Sequence, residues 1–314
     1  MKVIVQIPCY NEEETLPLVV KSIPRNIDGI DKLEILIIDD GSTDRTVEVA
    51  KELGVDHIIS NVGNKGLATS FATGINECLK LGADIIVNTD GDNQYPQEKI
   101  PDLIKPILDG ESDIVVSDRQ THKIKHFSWV KKRLQSAGSR VVRMASGTTI
   151  PDAPSGFRAY SREAVLNLNI ITYFSYVTET IIQAGKRKIA ITHVPIETNP
   201  KTRESRLFKN TWQHVFESSK SIIRVYSMYE SLRIFLSIGS VLFLAGSLGL
   251  GRWLWFFFTQ DNAGHVQSLV ISAGLIIVGF QIGLIGLLSD LVSVNRKLIE
   301  DTLYRVKKME LREK

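Results

Sequence analysis

Two aspartates one residue apart, Asp90 and Asp92, directly follow the short apolar run at residues 83–87. If that run is a strand, both carboxylates leave its end toward the same point and present hard oxygen ligands there. Mg²⁺ and Mn²⁺ take carboxylate and water oxygens and keep positions open for a phosphate. Because short acidic loops are common, the pair alone is a weak indication of a metal site.

Two other polar motifs also follow apolar runs. Residues 8–12 (Pro-Cys-Tyr-Asn-Glu) come after the run at 3–7, and residues 39–42 (Asp-Asp-Gly-Ser) come after the run at 33–38. A carboxylate in the second motif can accept hydrogen bonds from a base or from ribose hydroxyls, and a helix N-terminus beyond it favours anions. A simple capping turn is the alternative for this motif. The three motifs together favour a nucleotide site.

These motifs need elements that bring them together. Near-continuous apolar strands interleaved with helical patterns predict an α/β fold with a mostly parallel sheet covered on both faces. Ligands of such sheets bind beyond the carboxyl ends of the strands, where the three motifs fall. Strands are predicted at 3–7, 33–38, 57–59, 84–88 and 189–196, and helices at 12–23, 43–53 (with Ser42 or Thr43 as N-cap), 66–81, 129–146 and 179–185.

The C-terminal third of the 314-residue chain has a different composition. Residues 234–251 and 266–289 are uncharged, and each segment is about long enough to cross a hydrocarbon core of ~30 Å. The aromatic cluster at 253–258 suits a membrane interface. Two buried helices of a soluble domain are the alternative interpretation of these segments.

The charges beside the two spans predict their orientation. The link at 259–267 carries no Lys or Arg, whereas five basic residues follow the second span: Arg296, Lys297, Arg305, Lys307 and Lys308. The positive-inside rule then places both termini in the cytoplasm of a multi-pass protein, in a plasma membrane or an ER-type membrane. Basic residues near the spans favour anionic lipid headgroups. The net charge of +3 is too small to argue for a nucleic-acid partner.

The predicted domains follow from these patterns. Residues 1–206 form a cytosolic head, and residues 207–231 form an amphipathic helix at the membrane interface or, alternatively, an ordinary helix packed on the head. Two transmembrane helices follow within 232–294, at about 232–258 and 266–291, and residues 295–314 form a basic cytosolic helix. Glycines of the second span permit close packing within the hairpin or between chains, which leaves a homo-oligomer open. Cys9 and Cys78 match no metal or redox motif and are predicted core thiols.

Five motifs in order resemble those of the family 2 glycosyltransferases, specifically the polyprenyl-phosphate sugar transferases exemplified by dolichyl-phosphate mannose synthase. They occupy residues 8–12, 39–44, 64–66, 90–94 and 152–158, the last reading Asp-Ala-Pro-Ser-Gly-Phe-Arg. The resemblance covers residues 1–206 and implies a GT-A type nucleotide-sugar-binding domain. No Gln-x-x-Arg-Trp motif is present, which argues against a processive polysaccharide synthase.

The resemblance also implies roles for individual residues of the donor site. It assigns the nucleotide to Pro8, Tyr10, Glu12, Asp39, Asp40, Lys65 and Asp90. It assigns Mg²⁺ or Mn²⁺ to Asp90, Asp92 and Gln94, and the ion would bind the diphosphate of a UDP- or GDP-linked sugar.

For the acceptor, the resemblance implies a polyprenyl phosphate held by Arg119, Lys132, Ser136, Ser205 and Arg206, with Arg203 nearby. Lys132 stands where the family often has Arg; it keeps the charge but loses the bidentate fork. Arg206 stands where Lys is usual. Without the resemblance, residues 131–133 could equally be a solvated helix face.

The resemblance further implies transfer of a sugar with inversion, in which Asp92, Arg119, Lys132 and Arg203 carry the chemistry. A metal-bound diphosphate is a better leaving group, and a phosphate monoester is already anionic at neutral pH, so no strong general base is required. Two alternatives stay open: a glycosyltransferase that acts on a lipid-linked oligosaccharide or another membrane acceptor, and a catalytically inactive membrane scaffold.

Overall fold

The computed structural model describes residues 1–121, 129–171, 176–200, 211–259 and 266–311. The strands within these ranges are β1 (Lys2–Cys9), β2 (Lys32–Asp39), β3 (His57–Ser60), β4 (Ile85–Asn88), β5 (Ile114–Asp118), β6 (Arg158–Ser161) and β7 (Ile191–Pro195). The α-helices are α1 (Leu16–Ser22), α2 (Thr46–Glu52), α3 (Leu67–Lys80), α4 (Ile100–Leu108), α5 (Trp129–Ser146), α6 (Arg162–Asn167), α7 (Tyr176–Arg187), α8 (Thr211–Tyr229), α9 (Ser231–Thr259) and α10 (Val266–Glu310).

The strands form one sheet in the order β3-β2-β1-β4-β6-β5-β7. Every pairing is parallel except those of β6, which runs antiparallel to both β4 and β5. The parallel register pairs Cys9 with Asp39 and Asp39 with Ser60, so the carboxyl ends of β1, β2 and β3 meet at one edge. The mostly parallel sheet is confirmed. Sequence analysis missed the strand β5 and the helices α4 and α6, and it also missed β6, a four-residue strand that begins with an arginine.

Helices cover both faces of the sheet, which explains the continuous apolar runs. On one face, Val3, Val5 and Ile7 of β1 join the apolar residues of α1 and α4 in a buried cluster. On the other face, α3 approaches so closely that a Cβ on Gly74 would lie 2.3 Å from Oε1 of Gln6. Cys9 and Cys78 are buried free thiols, as predicted.

Helix α2 begins at Thr46, three residues later than predicted, and neither Ser42 nor Thr43 caps it. Both residues are used elsewhere. Asn11 donates its backbone N–H to the Ser42 hydroxyl at 2.9 Å and accepts the backbone N–H of Thr43 at 2.8 Å. The segment after β2 therefore binds the segment after β1 before it turns into a helix. Helix α5 has the bounds that the sequence predicts.

The chain divides into two compact units, the first comprising Met1–Ile223 with the C-terminal segment from Tyr304, and the second Arg224–Leu303. In the second unit, α9 and α10 approach closely through small residues. A Cβ on Gly239 would lie 2.7 Å from the carbonyl oxygen of Gly279. Both helices are long and apolar enough to cross a membrane, by length and composition. Many of their large apolar side chains are exposed, as lipid-facing residues would be.

Helix α8 is confirmed over Thr211–Tyr229, although the side chains of residues 211–216 and 218 lie outside the description. Ile222 and Val225 are buried, whereas Ile223 is 65% exposed. The basic C-terminal stretch continues α10 without a break as far as Glu310. The domain boundaries at 206, 231 and 294 remain predictions.

At the amino-terminal edge of the sheet, Glu34 is surrounded by three basic side chains. Its carboxylate, only 5% exposed, contacts Lys2 at 2.7 Å, Lys32 at 2.6 Å and His57 at 2.9 Å. Burial opposes ionisation of Glu34, but the hydrogen bonds from the three basic groups outweigh burial and lower its pKa to about 2. This carboxylate therefore stabilises the fold in its ionised form.

We expect Glu34→Gln to destabilise the full-length protein in a pH-dependent way. Because the folded pKa lies below the unfolded value, the stabilisation is present above pH ~4.5 and is lost as pH falls toward ~2. The free energy of unfolding of the wild type should exceed that of Glu34→Gln by about 3 kcal/mol near pH 7, and the gap should nearly close by about pH 2. Thermal unfolding in detergent, followed by circular dichroism, measures this gap. Glu52, which forms an exposed ion pair with Arg45, provides the control, and Glu52→Gln should change the free energy of unfolding little.

Candidate active site

Asp90 and Asp92 lie in the loop that follows β4, at the same edge of the sheet as the ends of β1 and β2. Burial, followed by repulsion from Asp92, raises the pKa of Asp90 to about 7, while Arg119 acts in the opposite direction. Gly91 between them packs tightly, since a Cβ there would lie 3.2 Å from both Sγ of Cys9 and Cγ of Glu12. The motif after β1 thus lies directly against the acidic loop.

Gln94 holds Asp92 through both of its carboxylate oxygens. The backbone N–H of Gln94 donates to Oδ1 at 3.1 Å, and the side-chain amide donates to Oδ2 at 2.7 Å. Between the two residues, Asn93 adopts the left-handed conformation with φ of 59°. The predicted metal ligand Gln94 therefore contacts the site as the hydrogen-bond partner of Asp92, and its role as a ligand remains a prediction.

The donor set fits a hard divalent cation. Asp90 and Asp92 supply carboxylate oxygens, and burial together with repulsion from Asp92 raises the pKa of Asp90. A nearby cation would relieve that repulsion. Across the described ranges, no three His, Cys, Asp or Glu side chains are grouped to hold a metal by themselves. Such a site suits Mg²⁺ or Mn²⁺, which use one or two carboxylates together with water and substrate phosphates.

Asp40 is buried and binds the loop that follows β3. Its Oδ1 accepts from the Asn61 side-chain amide and from the backbone N–H of Lys65, both at 3.0 Å, and its Oδ2 accepts from the backbone N–H of Gly66 at 2.8 Å. The two loops touch at Gly41, where a Cβ would lie 2.5 Å from the backbone of Gly63. Asp40 thus joins the 39–42 and 61–66 loops into one wall.

The other predicted nucleotide residues surround this wall. Asp39 is buried and accepts the backbone N–H of Ser42 through Oδ1 at 2.9 Å. Pro8 is buried within β1, whereas Tyr10 is 37% exposed just beyond its end. The side chain of Lys65 is exposed. Tyr10 and Lys65 are therefore accessible to a ligand, and Pro8 shapes the strand that precedes Tyr10.

Arg119 forms a bidentate ion pair with the buried Asp152. Its Nε donates to Oδ2 at 2.7 Å and its Nη2 to Oδ1 at 2.9 Å, while its backbone N–H also donates to Oδ2 at 3.1 Å. Burial works against the guanidinium charge, but Asp152, Tyr95 and Asp90 outweigh it and raise the pKa of Arg119 above its usual value. The structure therefore fixes a permanent positive charge beside the acidic pair.

The loop that contains Asp152 lies against the acidic pair at Gly156. A Cβ on Gly156 would lie 3.2 and 3.3 Å from the two carboxylate oxygens of Asp90. Tyr95 accepts the backbone N–H of Gly156 at 2.9 Å, and the carbonyl of Gly156 accepts from the Asn88 amide at 2.9 Å and from the Tyr176 hydroxyl at 3.3 Å. These bonds place the 152–156 loop as one side of the candidate metal site.

Arg158 is fully buried and binds the same loop from the protein interior. Its guanidinium donates to the carbonyls of Ala153 and Ser155, both at 2.7 Å, and to the carbonyl of Val177 at 2.8 Å and the hydroxyl of Thr180 at 2.7 Å. A buried cation that binds only neutral oxygens is stabilised by distributed dipoles, and its charge also lowers the pKa of Asp90.

The predicted acceptor residues are only partly described. Ser136 is exposed on α5. Lys132 lies in the same helix, but its side chain lies outside the description, as do residues Arg203, Ser205 and Arg206 altogether. Their roles remain predictions. Sequence analysis overlooked Asp152, although it opens one of the quoted motifs; Asn88 and Tyr176 gave no signal in a single sequence.

We expect Asp152→Ala to destabilise the protein strongly, because it leaves the charge of Arg119 largely buried and without its carboxylate. Breaking a buried ion pair costs about 3–5 kcal/mol. The double variant Arg119→Met with Asp152→Ala removes both charges and should recover part of this loss. Thermal unfolding in detergent of the wild type, the single variants Arg119→Met and Asp152→Ala, and the double variant gives the coupling energy of the pair. Additive effects of the two single changes would contradict the ion pair.

The chain is similar to characterised proteins over much of its length. It is 32% identical to a dolichol-phosphate mannosyltransferase of Pyrococcus furiosus over 267 residues, which cover 82% of this chain and 72% of the relative. It is 30% identical to a UDP-N-acetylglucosamine–dolichyl-phosphate N-acetylglucosaminyltransferase of Methanococcus voltae over 61% of this chain and 83% of that protein. An undecaprenyl-phosphate mannosyltransferase of Micrococcus luteus is 29% identical over 62% of this chain and 83% of its own length.

Among solved structures, the fold resembles that of glucosyl-3-phosphoglycerate synthase from Mycobacterium tuberculosis in complex with Mn²⁺, UDP and glucosyl-3-phosphoglycerate. The TM-score is 0.54 at 23% identity, over 72% of this chain and 78% of that structure. This likeness establishes the GT-A-like fold. The model of the Glycosyl transferase family 2 matches residues 4–168, which include the strands and loops of the acidic pair. The chain belongs to glycosyltransferase family 2.

Proposed function

We propose that this protein transfers a sugar, with inversion, from a nucleotide diphosphate sugar to a polyprenyl phosphate at a membrane. The observation that carries the proposal is the acidic pair Asp90/Asp92 at the edge of the sheet. The names of the similar proteins describe this type of transfer, and the similarity to one of them covers 82% of this chain. The apolar helices α9 and α10 agree with an acceptor whose tail lies in a bilayer.

The donor would bind across the ends of β1, β2 and β4. Mg²⁺ or Mn²⁺ bound by Asp90 and Asp92 would neutralise the diphosphate as it leaves. Gln94 keeps Asp92 oriented. Asp39 accepts one described hydrogen bond, from the backbone of Ser42, and is therefore better placed than Asp40 to accept hydrogen bonds from ribose hydroxyls. The fold neighbour was solved with Mn²⁺ and UDP, which supports a metal–nucleotide site at this edge.

The acceptor phosphate would be bound by cationic side chains. Arg119 contributes a fixed charge, but its Nε and Nη2 groups bind Asp152. A contact with a phosphate would therefore use the remaining edge of the guanidinium. Because Asp152 neutralises the charge of Arg119, the net positive charge for the phosphate would come from Lys132 and Arg203. Arg206 and the hydroxyls of Ser136 and Ser205 would complete the site. In-line attack of the phosphate oxygen needs orientation rather than deprotonation.

We expect purified Asp92→Ala to transfer no sugar to polyprenyl phosphate, with a loss of at least about 100-fold, because the diphosphate loses its metal. Removing divalent metal from the wild type with EDTA should have the same effect, and added Mg²⁺ or Mn²⁺ should restore transfer. Radiolabelled UDP- and GDP-linked sugars, tested with undecaprenyl and dolichyl phosphate, provide the measurement. The exposed Asp102 on α4 offers a matched control, and Asp102→Ala should keep full activity.

Three results would overturn this proposal. Full transfer by Asp92→Ala with metal chelated would remove the acidic pair from the mechanism. Transfer to a sugar-bearing lipid diphosphate but not to polyprenyl phosphate would reassign the acceptor to a lipid-linked oligosaccharide, and wild-type protein that binds no nucleotide sugar would point to a scaffold.

We also propose that α9 and α10 cross the membrane with both termini and the head in the cytoplasm. Cys9 and Cys78 are buried, so an introduced cysteine can report accessibility on its own. We expect Asn262→Cys, in the link outside the described residues, to react with a membrane-impermeant maleimide in intact cells. Lys297→Cys, which is exposed on α10, should react only after the membrane is opened. The opposite labelling pattern would invert the topology.

A further inference from the structure

We propose that Asn199 is a positioning residue that holds the loop of Asp92 and Gln94 in its metal-binding conformation. This inference builds on the metal site of the proposed function and goes beyond it by adding a residue from a distant segment of the chain. Asn199 lies beyond the end of β7, more than a hundred positions after the loop that it binds.

Asn199 binds three consecutive carbonyls of the acidic loop. Its side-chain amide donates to the carbonyl of Asn93 at 3.1 Å and to that of Tyr95 at 3.2 Å. Its backbone N–H donates to the carbonyl of Gln94 at 3.0 Å. The three peptide units that follow Asp92 are therefore all held by one residue.

The loop needs such partners because it is irregular. Asn93 is left-handed, which non-glycine residues rarely adopt, so the carbonyls of this turn do not point along a helix or a strand. Gln94 in turn donates its backbone and side-chain N–H groups to Asp92. Fixing the peptide units at 93–95 thus fixes the donors that orient the Asp92 carboxylate. The effect on the metal is indirect, since Asn199 acts through Gln94.

The segment that carries Asn199 is itself anchored. The backbone N–H of Ile196 donates to the carbonyl of Asp118 at the end of β5 at 2.8 Å. Pro200 follows Asn199 directly and restricts its backbone to extended conformations. Asn199 therefore presents its amide from a fixed position, and the acidic loop rests on the sheet edge at both β4 and β5.

The side chain also has a defined orientation. Both of its partners are carbonyl oxygens, so only the NH₂ end of the amide can face them. An aspartate has nearly the same shape but would direct an oxygen at two carbonyls. Replacing Asn199 by Asp therefore separates two effects on metal binding. A positioning role predicts weaker binding because the loop is pushed away, whereas simple electrostatics predicts tighter binding because a negative charge is added.

The test measures Mn²⁺ binding to the full-length protein in detergent micelles, without any sugar donor, by electron paramagnetic resonance of the free ion. We expect Asn199→Ala to raise the dissociation constant for Mn²⁺ about tenfold, as loss of an outer partner of a metal ligand typically does. Asn199→Asp should raise it further. Asn26→Asp, at an exposed position in the loop before β2, adds the same charge elsewhere and should bind Mn²⁺ as the wild type does.

Hydrogen exchange gives a second readout that does not involve metal. In the metal-free variants the amides of residues 91–95 should exchange faster than in the wild type, while those of β1 and β2 should not change. Where transfer can be assayed, a high Mn²⁺ concentration should restore turnover in Asn199→Ala but not in Asp92→Ala. If Asn199→Asp is not recovered folded, Asn199→Ala provides the comparison.

Wild-type Mn²⁺ affinity in Asn199→Asp and Asn199→Ala, or tighter binding in the former, would overturn the positioning role. So would a wild type that binds no Mn²⁺. The proposed function fails separately: a wild type that binds Mn²⁺ but transfers no sugar to polyprenyl phosphate would leave the role of Asn199 standing.

Discussion

The placement of two carboxylates one residue apart at the end of a buried strand is the constraint on which the candidate site depends. Asp90 and Asp92 stand one residue apart, and burial with mutual repulsion raises the pKa of Asp90 to about 7. The surrounding structure tolerates this by placing the positive charges of Arg119 and Arg158 nearby and by fixing the loop from several sides. Keeping the two carboxylates together in this way costs free energy that the rest of the fold must supply.

The supporting structure uses side chains chiefly to bind backbone. Asp40 joins the loops after β2 and β3, Arg158 collects the carbonyls of the 153–155 turn, and Asn199 collects those after Asp92. Each binds chiefly peptide units, so each fixes loop shape largely through the backbone. The Arg119–Asp152 pair is different, because there the partner of a charge is a second charge and removal of either leaves the other buried.

The sequence predicted those parts of the molecule that local patterns determine. Apolar runs located β1, β2 and β4, and helix α5 has the predicted bounds, because burial on both sheet faces and helical periodicity are local signals. The antiparallel β6 escaped notice because four residues that begin with a buried arginine carry no strand pattern. The start of α2 was misplaced because Asn11, thirty residues earlier, takes the groups that would have capped it. Asn199 escaped for the same reason, since its partners are distant in sequence.

The residues that fix the loops differ from those that the loops expose. The groups that fix the loops are buried or engaged with backbone, whereas Tyr10 and Lys65 extend from the same loops into solvent. A substitution in the first set would shift the loops themselves, while one in the second would leave the loops in place. The geometry of the loop that carries Asp90 and Asp92 is therefore set by hydrogen bonds to its backbone rather than by the exposed side chains near it.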